Sequence, residues 1–495
     1  MRKLTALLYS LSSVGLFGQC NFIQPDKKKD IEKTPNVLFI LTDDQRFDAI
    51  GALGNEEIKT PNMDHLVHEG VTFTHAHVMG SLGGAVCLPS RTMIMTGKNL
   101  YHLKEDGEYI PESDRLLPEH FGRNGYETFA TGKWHNPKKD FNRGFSHGEN
   151  IFFGGMHSYE SGGHFKPHLH HYDTTGAYKH SSGFKGDHFS SEYYADAAID
   201  FIKKREEKAK PFFAYVAFTA PHDPRTPPKE FKEKYDSSKV SLPDNFKLIH
   251  PFDNGAMDIR DEVFLPIPRD SVAVKSELAA YYGMISEVDY QIGRIYNALK
   301  ESGELDNTII VFAGDNGLAM GQHGLLGKQN LYDHSMRVPL VISGPGIPKN
   351  KKQDSYCYLS DVYPTLCDML GFEIPSSVES KSFYNAFSKD NFSARDHLFT
   401  AYSNVQRAIR KDEYKLIGYN VNGSHKFQLF NLKEDQLELN DLSTNPKYKD
   451  KFDELKQLLR EEMKRQGDFC DLSKQGWGHS KVMSWTELKG LFPQE

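Results

Sequence analysis

The sequence has few cysteines and no strong excess of one charge, and each of these features argues against particular classes of protein. Its 495 residues include only five cysteines, far below the density of a disulfide-stabilised scaffold. The net charge is -7, so nothing favours nucleic acid or an anionic membrane surface as a partner. An anionic ligand would therefore have to be attracted by a local cluster of basic groups.

The chain also lacks a hydrophobic run long enough to span a bilayer. Near the N-terminus, two basic residues precede the apolar run 4–17, which is typical of a cleaved export signal. We predict a signal peptide at 1–19, a polar tether at 20–35 and an exported protein in the periplasm, at the cell surface or secreted. A lipoprotein signal would place a lipid anchor on Cys20, whereas simple secretion would not, and the sequence leaves both alternatives open.

Buried strands alternate with helices over most of the chain. The strand candidates are 36–42, 126–131, 212–219, 308–313 and 338–343, and helix patterns cover 60–70, 191–204 and 276–301. This alternation predicts an α/β fold with a doubly wound, mostly parallel sheet flanked by helices. Short strand candidates after about residue 390, followed by a charged amphipathic helix, predict a smaller C-terminal antiparallel sheet plus helix. We assign 36–390 to the main α/β domain and 391–495 to a C-terminal α+β subdomain.

Polar and charged residues directly follow four of the buried strand candidates. They are Asp43, Asp44, Lys133, His135, His222, Asp315 and Asn316. Any one of them alone would more often be a helix cap or a polar loop residue than a functional group. Because ligands bind beyond the carboxyl ends of the strands in open α/β sheets, the whole set on one rim indicates a functional site.

Four of these residues carry hard oxygen ligands: Asp43, Asp44, Asp315 and Asn316. No pair of cysteines or histidines accompanies them at the spacing of a structural zinc site. Oxygen ligands favour Ca²⁺ or Mg²⁺, and for an exported protein we predict Ca²⁺. Such a cation would offset the repulsion among the carboxylates and polarise an oxygen of an anionic substrate.

The most distinctive motif is Cys87-Leu-Pro-Ser-Arg91, followed by Thr96 and Gly97. Pro89 suits the first turn of a helix, and a helix beginning there would point free backbone N–H groups at an anion. Arg91, one turn further on, would stabilise oxygens carried by residue 87. Taken from these residues alone, Cys87 would be a thiolate nucleophile at a helix start.

The motif resembles the signature of the type I sulfatases, which are formylglycine-dependent, arylsulfatase-like enzymes of the alkaline phosphatase superfamily. The resemblance extends over roughly residues 36–441 and includes every group at the strand ends. It implies that Cys87 is oxidised to formylglycine (3-oxoalanine) by a formylglycine-generating or anaerobic sulfatase-maturating enzyme. The hydrated aldehyde would then attack sulfur, which is covalent catalysis.

The resemblance also implies a role for each residue of the site. The catalytic set that it implies is Cys87, Arg91, Lys133, His135, His222 and Lys328. The implied calcium ligands are Asp43, Asp44, Cys87, Asp315 and Asn316. Lys133 and Lys328 would hold sulfate oxygens, His135 would support the hydroxyls on residue 87, and His222 would protonate the departing alcohol.

Two further histidines are candidates for substrate contact. His157 lies in the segment 156–188, which is rich in histidine, glycine and tyrosine and which we interpret as a loop that shapes a polar substrate pocket. His323 directly precedes Gly324, and a hydrogen-bonded loop histidine is an equally supported interpretation of it.

These features together predict an exported sulfatase that acts on sulfated carbohydrate. Its substrates would be algal polysaccharides such as ulvan or carrageenan, or glycosaminoglycans. One alternative is a phosphomonoester, phosphodiester or phosphonate hydrolase, because relatives with the same cysteine motif cleave such esters. Another is a glycan-binding protein that has lost activity, and the intact set of candidate catalytic residues argues against it.

Overall fold

The computed structural model describes residues 34–205, 210–390 and 392–472. The predicted signal peptide, Cys20 and the predicted tether up to residue 33 lie outside these ranges. Within the described part of the chain, no helix combines the length and the apolar character that crossing a bilayer requires.

Strands and helices alternate along the chain. In chain order the α-helices are α1 (Pro61–Glu69), α2 (Cys87–Thr96), α3 (Leu117–Arg123), α4 (Phe141–Gly144), α5 (Ser190–Lys204), α6 (Lys229–Lys232), α7 (Ser271–Glu301), α8 (Asp333–Met336), α9 (Val362–Leu370) and α10 (Lys449–Arg465). The strands are β1 (Asn36–Thr42), β2 (Gly70–His77), β3 (Gly80–Ser81), β4 (Glu127–Lys133), β5 (His147–Phe152), β6 (His168–Leu169), β7 (Phe184–Lys185), β8 (Phe212–Ala217), β9 (Thr308–Gly314), β10 (Leu340–Ser343), β11 (Lys351–Tyr358), β12 (His397–Tyr402), β13 (Gln406–Lys411), β14 (Tyr414–Val421) and β15 (Ser424–Asn431).

The main sheet has eight strands in the order β11-β2-β10-β9-β1-β8-β4-β5. Strand β10 runs antiparallel to its neighbours β9 and β2, and the other neighbouring pairs are parallel. In the centre of the sheet, Leu41 of β1 pairs with Ala217 of β8 and with Ala313 of β9. The ends of these three strands therefore lie level, and the residues that follow them meet at one edge.

Both faces of the main sheet are covered, which confirms the predicted fold class. Along β1, Val37 and Phe39 enter one apolar cluster, whereas Leu38 and Ile40 enter a second. This alternation follows from the two-residue period of a strand. Because both clusters are buried, β1 is apolar throughout and shows no polar face in the sequence.

The smaller sheet has five strands in the order β15-β14-β13-β12-β3. Strands β12 to β15 are antiparallel, as predicted, and β3 joins the edge in parallel with β12. A Cβ atom on Gly80 of β3 would lie 1.9 Å from the carbonyl oxygen of Ala401, so glycine is required at this position. The segment that leads into α2 is therefore fixed by the C-terminal sheet.

The long helix α7 buries a carboxylic acid whose ionisation should oppose folding. Glu287 is fully buried, and its Oε1 accepts a hydrogen bond from Gln291 Nε2 at 2.8 Å. Burial raises the pKa of Glu287 from 4.5 to about 8. Because the unfolded chain loses this proton first as pH rises, stability should fall between pH 4.5 and about 8.

Glu287→Gln is therefore expected to stabilise the protein at pH 8 and to change little at pH 4.5. The expected gain at the higher pH is on the order of 1–4 kcal/mol. Urea unfolding at both pH values measures it, with Glu301→Gln at the exposed end of the same helix as the control. An equal effect of Glu287→Gln at both pH values would contradict the proposed cause.

Candidate active site

The structure brings most of the predicted site residues to one rim of the main sheet. Most of them lie at or beyond the ends of β1, β4, β8 and β9, and the others lie in the first turns of α2. Nearly all of these side chains are buried. The residues in this cluster are Asp43, Asp44, Cys87, Arg91, Lys133, His135, His222, Asp315, Asn316 and Lys328. The level strand ends described above explain why side chains so far apart in sequence meet here.

Cys87 is the first residue of α2 and lies between two lysines. Its Sγ is 3.8 Å from Lys133 Nζ and 3.9 Å from Lys328 Nζ. Burial raises the pKa of the Cys87 thiol, and the two lysines only partly oppose this effect. A raised pKa disfavours the thiolate, which is the form in which an unmodified cysteine attacks.

The carboxylates in the cluster are close enough together to hold a cation. Ligand atoms of Asp43, Cys87 and Asp315 lie within 4.8 Å of one another. Asp43 Oδ1 and Asn316 Oδ1 are buried without a hydrogen-bond partner among the described residues. Burial and the neighbouring Asp43 raise the pKa of Asp315 to about 6. Closely spaced oxygen atoms with unused lone pairs fit a hard divalent cation such as Ca²⁺.

Each of the two lysines also pairs with a carboxylate. Lys133 Nζ donates to Asp43 Oδ2 at 2.5 Å, and Lys328 Nζ donates to Asp44 Oδ1 at 2.6 Å. Burial disfavours the charge on Lys328, but Asp44 together with Cys87, Asp43 and Asp261 outweighs this effect and holds the pKa of Lys328 well above its usual value. Lys328 therefore keeps its charge beside residue 87, where a cationic group favours the binding of an anionic ester.

Arg91 connects α2 to two strands. Its Nε donates to Asp315 Oδ2 at 2.8 Å, and its Nη1 donates to the backbone carbonyl of Lys133 at 2.8 Å. The adjacent Ser90 Oγ donates to the backbone carbonyl of Asp315 at 2.6 Å. These bonds fix the first turn of α2, and with it residue 87, against the ends of β4 and β9.

The pKa values of the two histidines of the cluster shift in opposite directions. Burial opposes protonation of His222, but Asp44, whose Oδ2 is 3.6 Å from His222 Nε2, raises the pKa of this imidazole. Burial together with Lys133 and Arg91 holds the pKa of His135 well below its usual value. His222 is therefore suited to give a proton, whereas His135 is neutral and suited to accept a hydrogen bond.

The remaining two histidine candidates lie in different surroundings. His157 Nε2 is 3.1 Å from Thr219 Oγ1. This ring therefore packs against the short segment that connects β8 to His222. His323 stacks on Tyr332 with ring centroids 4.1 Å apart, and its Nε2 is 3.2 Å from Asn245 Nδ2. These contacts of His323 match the alternative interpretation, a hydrogen-bonded loop histidine.

Sequence reasoning missed three charged residues beside the cluster: Asp223, Arg260 and Asp261. They line a small cavity together with Asp44 and Lys328. Arg260 donates to Asp223 Oδ2 at 2.7 Å, and its second amino group lies 2.7 Å from Asp261. Arg260 and Asp261 belong to the irregular segment between α6 and α7, which carries no motif that could have indicated them.

Comparisons with known proteins agree with this geometry. The family model described as Sulfatase matches residues 35–372, and one described as N-sulphoglucosamine sulphohydrolase, C-terminal, matches residues 321–465. A sulfatase of Formosa agariphila is 31% identical over 478 residues, covering 90% of this chain and 90% of that protein. An N-acetylglucosamine-6-O-sulfatase of Bacteroides thetaiotaomicron is 26% identical over 535 residues, covering 94% of this chain and 91% of the relative.

The fold agrees with that of a solved structure in which another protein is bound to its own substrate, D-glucosamine-2-N,6-O-disulfate. The TM-score is 0.73 at 24% identity, and the alignment covers 88% of this chain and 99% of that chain. The fold and the site thus define a hydrolase of the alkaline phosphatase superfamily. Since the first family match spans more than half of the sequence, the chain belongs to the sulfatase family and is a sulfuric ester hydrolase.

Proposed function

We propose that the protein is an exported sulfatase that removes sulfate esters from carbohydrate with a formylglycine made from Cys87. The observation that carries the proposal is the position of Cys87 Sγ, less than 4 Å from two buried lysine ammonium groups and beside Asp43 and Asp315. Cations and carboxylates around one side chain suit an ester whose sulfate group is held while its sulfur is attacked.

Conversion of Cys87 to formylglycine is the step that gives the site its nucleophile. A formylglycine-generating or anaerobic sulfatase-maturating enzyme would perform it, and the hydrated aldehyde would supply the attacking oxygen. Asp43, Asp44, Asp315 and Asn316, together with residue 87, would hold Ca²⁺, which supplies Lewis-acid polarisation of a sulfate oxygen.

The chain's own residues would share the remaining tasks. Lys133 and Lys328 bind sulfate oxygens and neutralise the charge that develops in the transition state. His222 Nε2 gives a proton to the oxygen of the departing alcohol, and Arg91 holds the first turn of α2 in place. His135, neutral because of burial and its cationic neighbours, accepts a hydrogen bond from residue 87.

Carbohydrate is the proposed substrate class, either an algal polysaccharide such as ulvan or carrageenan or a glycosaminoglycan. The relative that acts on N-acetylglucosamine 6-O-sulfate and the solved complex with a disulfated glucosamine support this choice. The predicted signal at 1–19 supports action in the periplasm, at the cell surface or outside the cell, with or without a lipid anchor at Cys20. In these compartments an exported enzyme would come into contact with sulfated polysaccharides.

A comparison of paired esters tests the function. We expect the matured enzyme to release sulfate from p-nitrophenyl sulfate at least tenfold faster than it releases phosphate from p-nitrophenyl phosphate. The physical reason is that a single divalent cation and two lysines match the lower charge of a sulfate monoester. Faster phosphate release would favour the phosphate or phosphonate hydrolase instead. Absence of sulfate release from both the aryl ester and sulfated carbohydrate, with formylglycine present, would favour a glycan-binding protein.

A further inference from the structure

Asp223 directly follows the proposed proton donor and contacts its ring. His222 Nδ1 lies 3.2 Å from Asp223 Oδ1 and 2.9 Å from the backbone carbonyl oxygen of Asp223. Both neighbours of Nδ1 accept hydrogen bonds, so we assign the ring hydrogen to this nitrogen. Nε2 is then the nitrogen directed at the cluster, 3.6 Å from Asp44 Oδ2.

Arg260 holds the Asp223 carboxylate with a two-pronged contact. Arg260 Nη1 donates to Asp223 Oδ2 at 2.7 Å, and Nη2 donates to Asp223 Oδ1 at 3.0 Å. The Asp223 side chain is only 7% exposed, whereas that of Arg260 is 50% exposed. A bidentate pair of this kind fixes both the position and the plane of the carboxylate. Arg260 therefore fixes the orientation of the Asp223 carboxylate relative to the His222 ring.

The backbone of His222 is held separately. His164 Nε2 lies 3.0 Å from the backbone carbonyl oxygen of His222, and His164 Nδ1 lies 2.9 Å from Ser190 Oγ. The main chain at His222 is therefore anchored without Asp223. The Asp223 carboxylate, together with the backbone carbonyl oxygen of Asp223, controls the rotation of the imidazole ring about its side-chain bonds.

We propose that Asp223 is a positioning residue for His222 and that Arg260 fixes Asp223 in this task. The inference rests on the proposed function, because it takes His222 as the donor of the proton to the leaving alcohol. Orientation of an imidazole by a buried carboxylate keeps one ring nitrogen occupied and aims the other at the reacting atom.

Asp223 supports the transfer of a proton from His222 to the leaving alcohol. The attacking hydroxyl of residue 87 gives its proton to the neighbouring Asp315 carboxylate as its oxygen bonds to sulfur. The bond from sulfur to the ester oxygen breaks, and its electron pair stays on that oxygen. The oxygen takes the proton from His222 Nε2, and the imidazole becomes neutral. The hydrogen stays on Nδ1 and donates to Asp223 throughout, so Asp223 stabilises the imidazolium form before transfer without itself being protonated.

The decisive test compares kcat/KM for two esters with different leaving groups, phenyl sulfate and p-nitrophenyl sulfate, in the wild type and in Asp223→Asn. The p-nitrophenolate group leaves with little protonation, whereas phenolate needs the proton much more. We expect Asp223→Asn to lower kcat/KM for phenyl sulfate about 30-fold more than for p-nitrophenyl sulfate. This factor is below the roughly 10²–10⁴-fold of complete general-acid catalysis, because His222 itself remains. A structural role alone would lower both esters by the same factor.

Arg260→Met should shift the same ratio in the same direction by a smaller factor, about threefold to tenfold. Arg294→Met is the matched control, because Arg294 is also partly exposed and donates to a carboxylate, Asp196, at 2.7 Å. That variant should leave the ratio of the two esters unchanged. All measurements use the full-length matured protein, with formylglycine content determined for each variant so that rates refer to modified enzyme.

The outcomes separate this inference from the proposed function. Equal losses on both esters in Asp223→Asn, or no loss on either, would overturn the positioning role. If the wild type hydrolysed aryl phosphates and no aryl sulfates, the proposed function would fall. The comparison of phenyl and p-nitrophenyl phosphate in Asp223→Asn would then still decide the role of Asp223.

Discussion

Cys87→Ala is expected to lower the rate of sulfate release by roughly 10³-fold or more, because it removes the atom from which the nucleophile is made. The fold should be retained. Cys87 opens a helix whose first turn is already fixed by Arg91 Nε on Asp315 and by Ser90 Oγ on the Asp315 carbonyl. Initial rates on p-nitrophenyl sulfate and thermal unfolding of the same sample measure the two properties.

Cys367→Ala is the matched control for this substitution. Cys367 is a second fully buried cysteine, in α9, and its removal should leave the turnover rate unchanged. Mass spectrometry of the wild-type peptide that contains residue 87 should show that one oxygen has replaced the sulfur and two hydrogens. Full turnover by Cys87→Ala, or by wild-type protein that carries only the thiol, would rule out formylglycine chemistry.

The position of the site could be predicted from the sequence because it depends on local signals. The run 36–42 is apolar throughout since β1 is buried on both faces, and β1 has the same boundaries in the structure. Once such strands are parallel and in register, the residues after them must meet at one edge. Asp43 and Asp315 were therefore assigned to one cluster although 272 positions separate them.

Other parts of the site depend on tertiary contacts that leave no local pattern. Asp223 and Arg260 are 37 positions apart, and Arg260 lies in a segment with no helix or strand period. Their pairing is decided only when the segment before α7 folds over the end of β8. The same holds for His323, which stacks on Tyr332 within the irregular segment between β9 and α8.

Very short strands were also beyond sequence prediction. Strand β3 consists of Gly80 and Ser81, which is too short to show the two-residue alternation of a strand. Its pairing with Ala401 and Tyr402 of β12 is nevertheless what joins the segment before Cys87 to the C-terminal sheet. The sequence predicted the C-terminal sheet but could not show that the sheet supports the nucleophile.

Removing divalent cations is expected to lower kcat/KM by at least about 10²-fold, because the polarising effect of such an ion contributes several kcal/mol. The carboxylates give a second reason. Lys133 and Lys328 pair with Asp43 and Asp44 at 2.5 and 2.6 Å, so these ammonium groups are engaged by the protein itself. A cation on the carboxylates would free both lysines for the sulfate oxygens.

Calcium should therefore also stabilise the fold, and this effect can be measured without any substrate. Ligand at about 100 times its Kd adds about 2.7 kcal/mol, which corresponds to a rise of several degrees in Tm. Asp315→Asn should lose most of this calcium-dependent rise. Asp361→Asn, at a buried carboxylate that pairs with Arg395 at 2.6 Å, should lower Tm yet keep the rise. A Tm that does not respond to calcium, together with activity that survives a chelator, would contradict a calcium site, because carboxylates this closely spaced would then be balanced by the lysines alone.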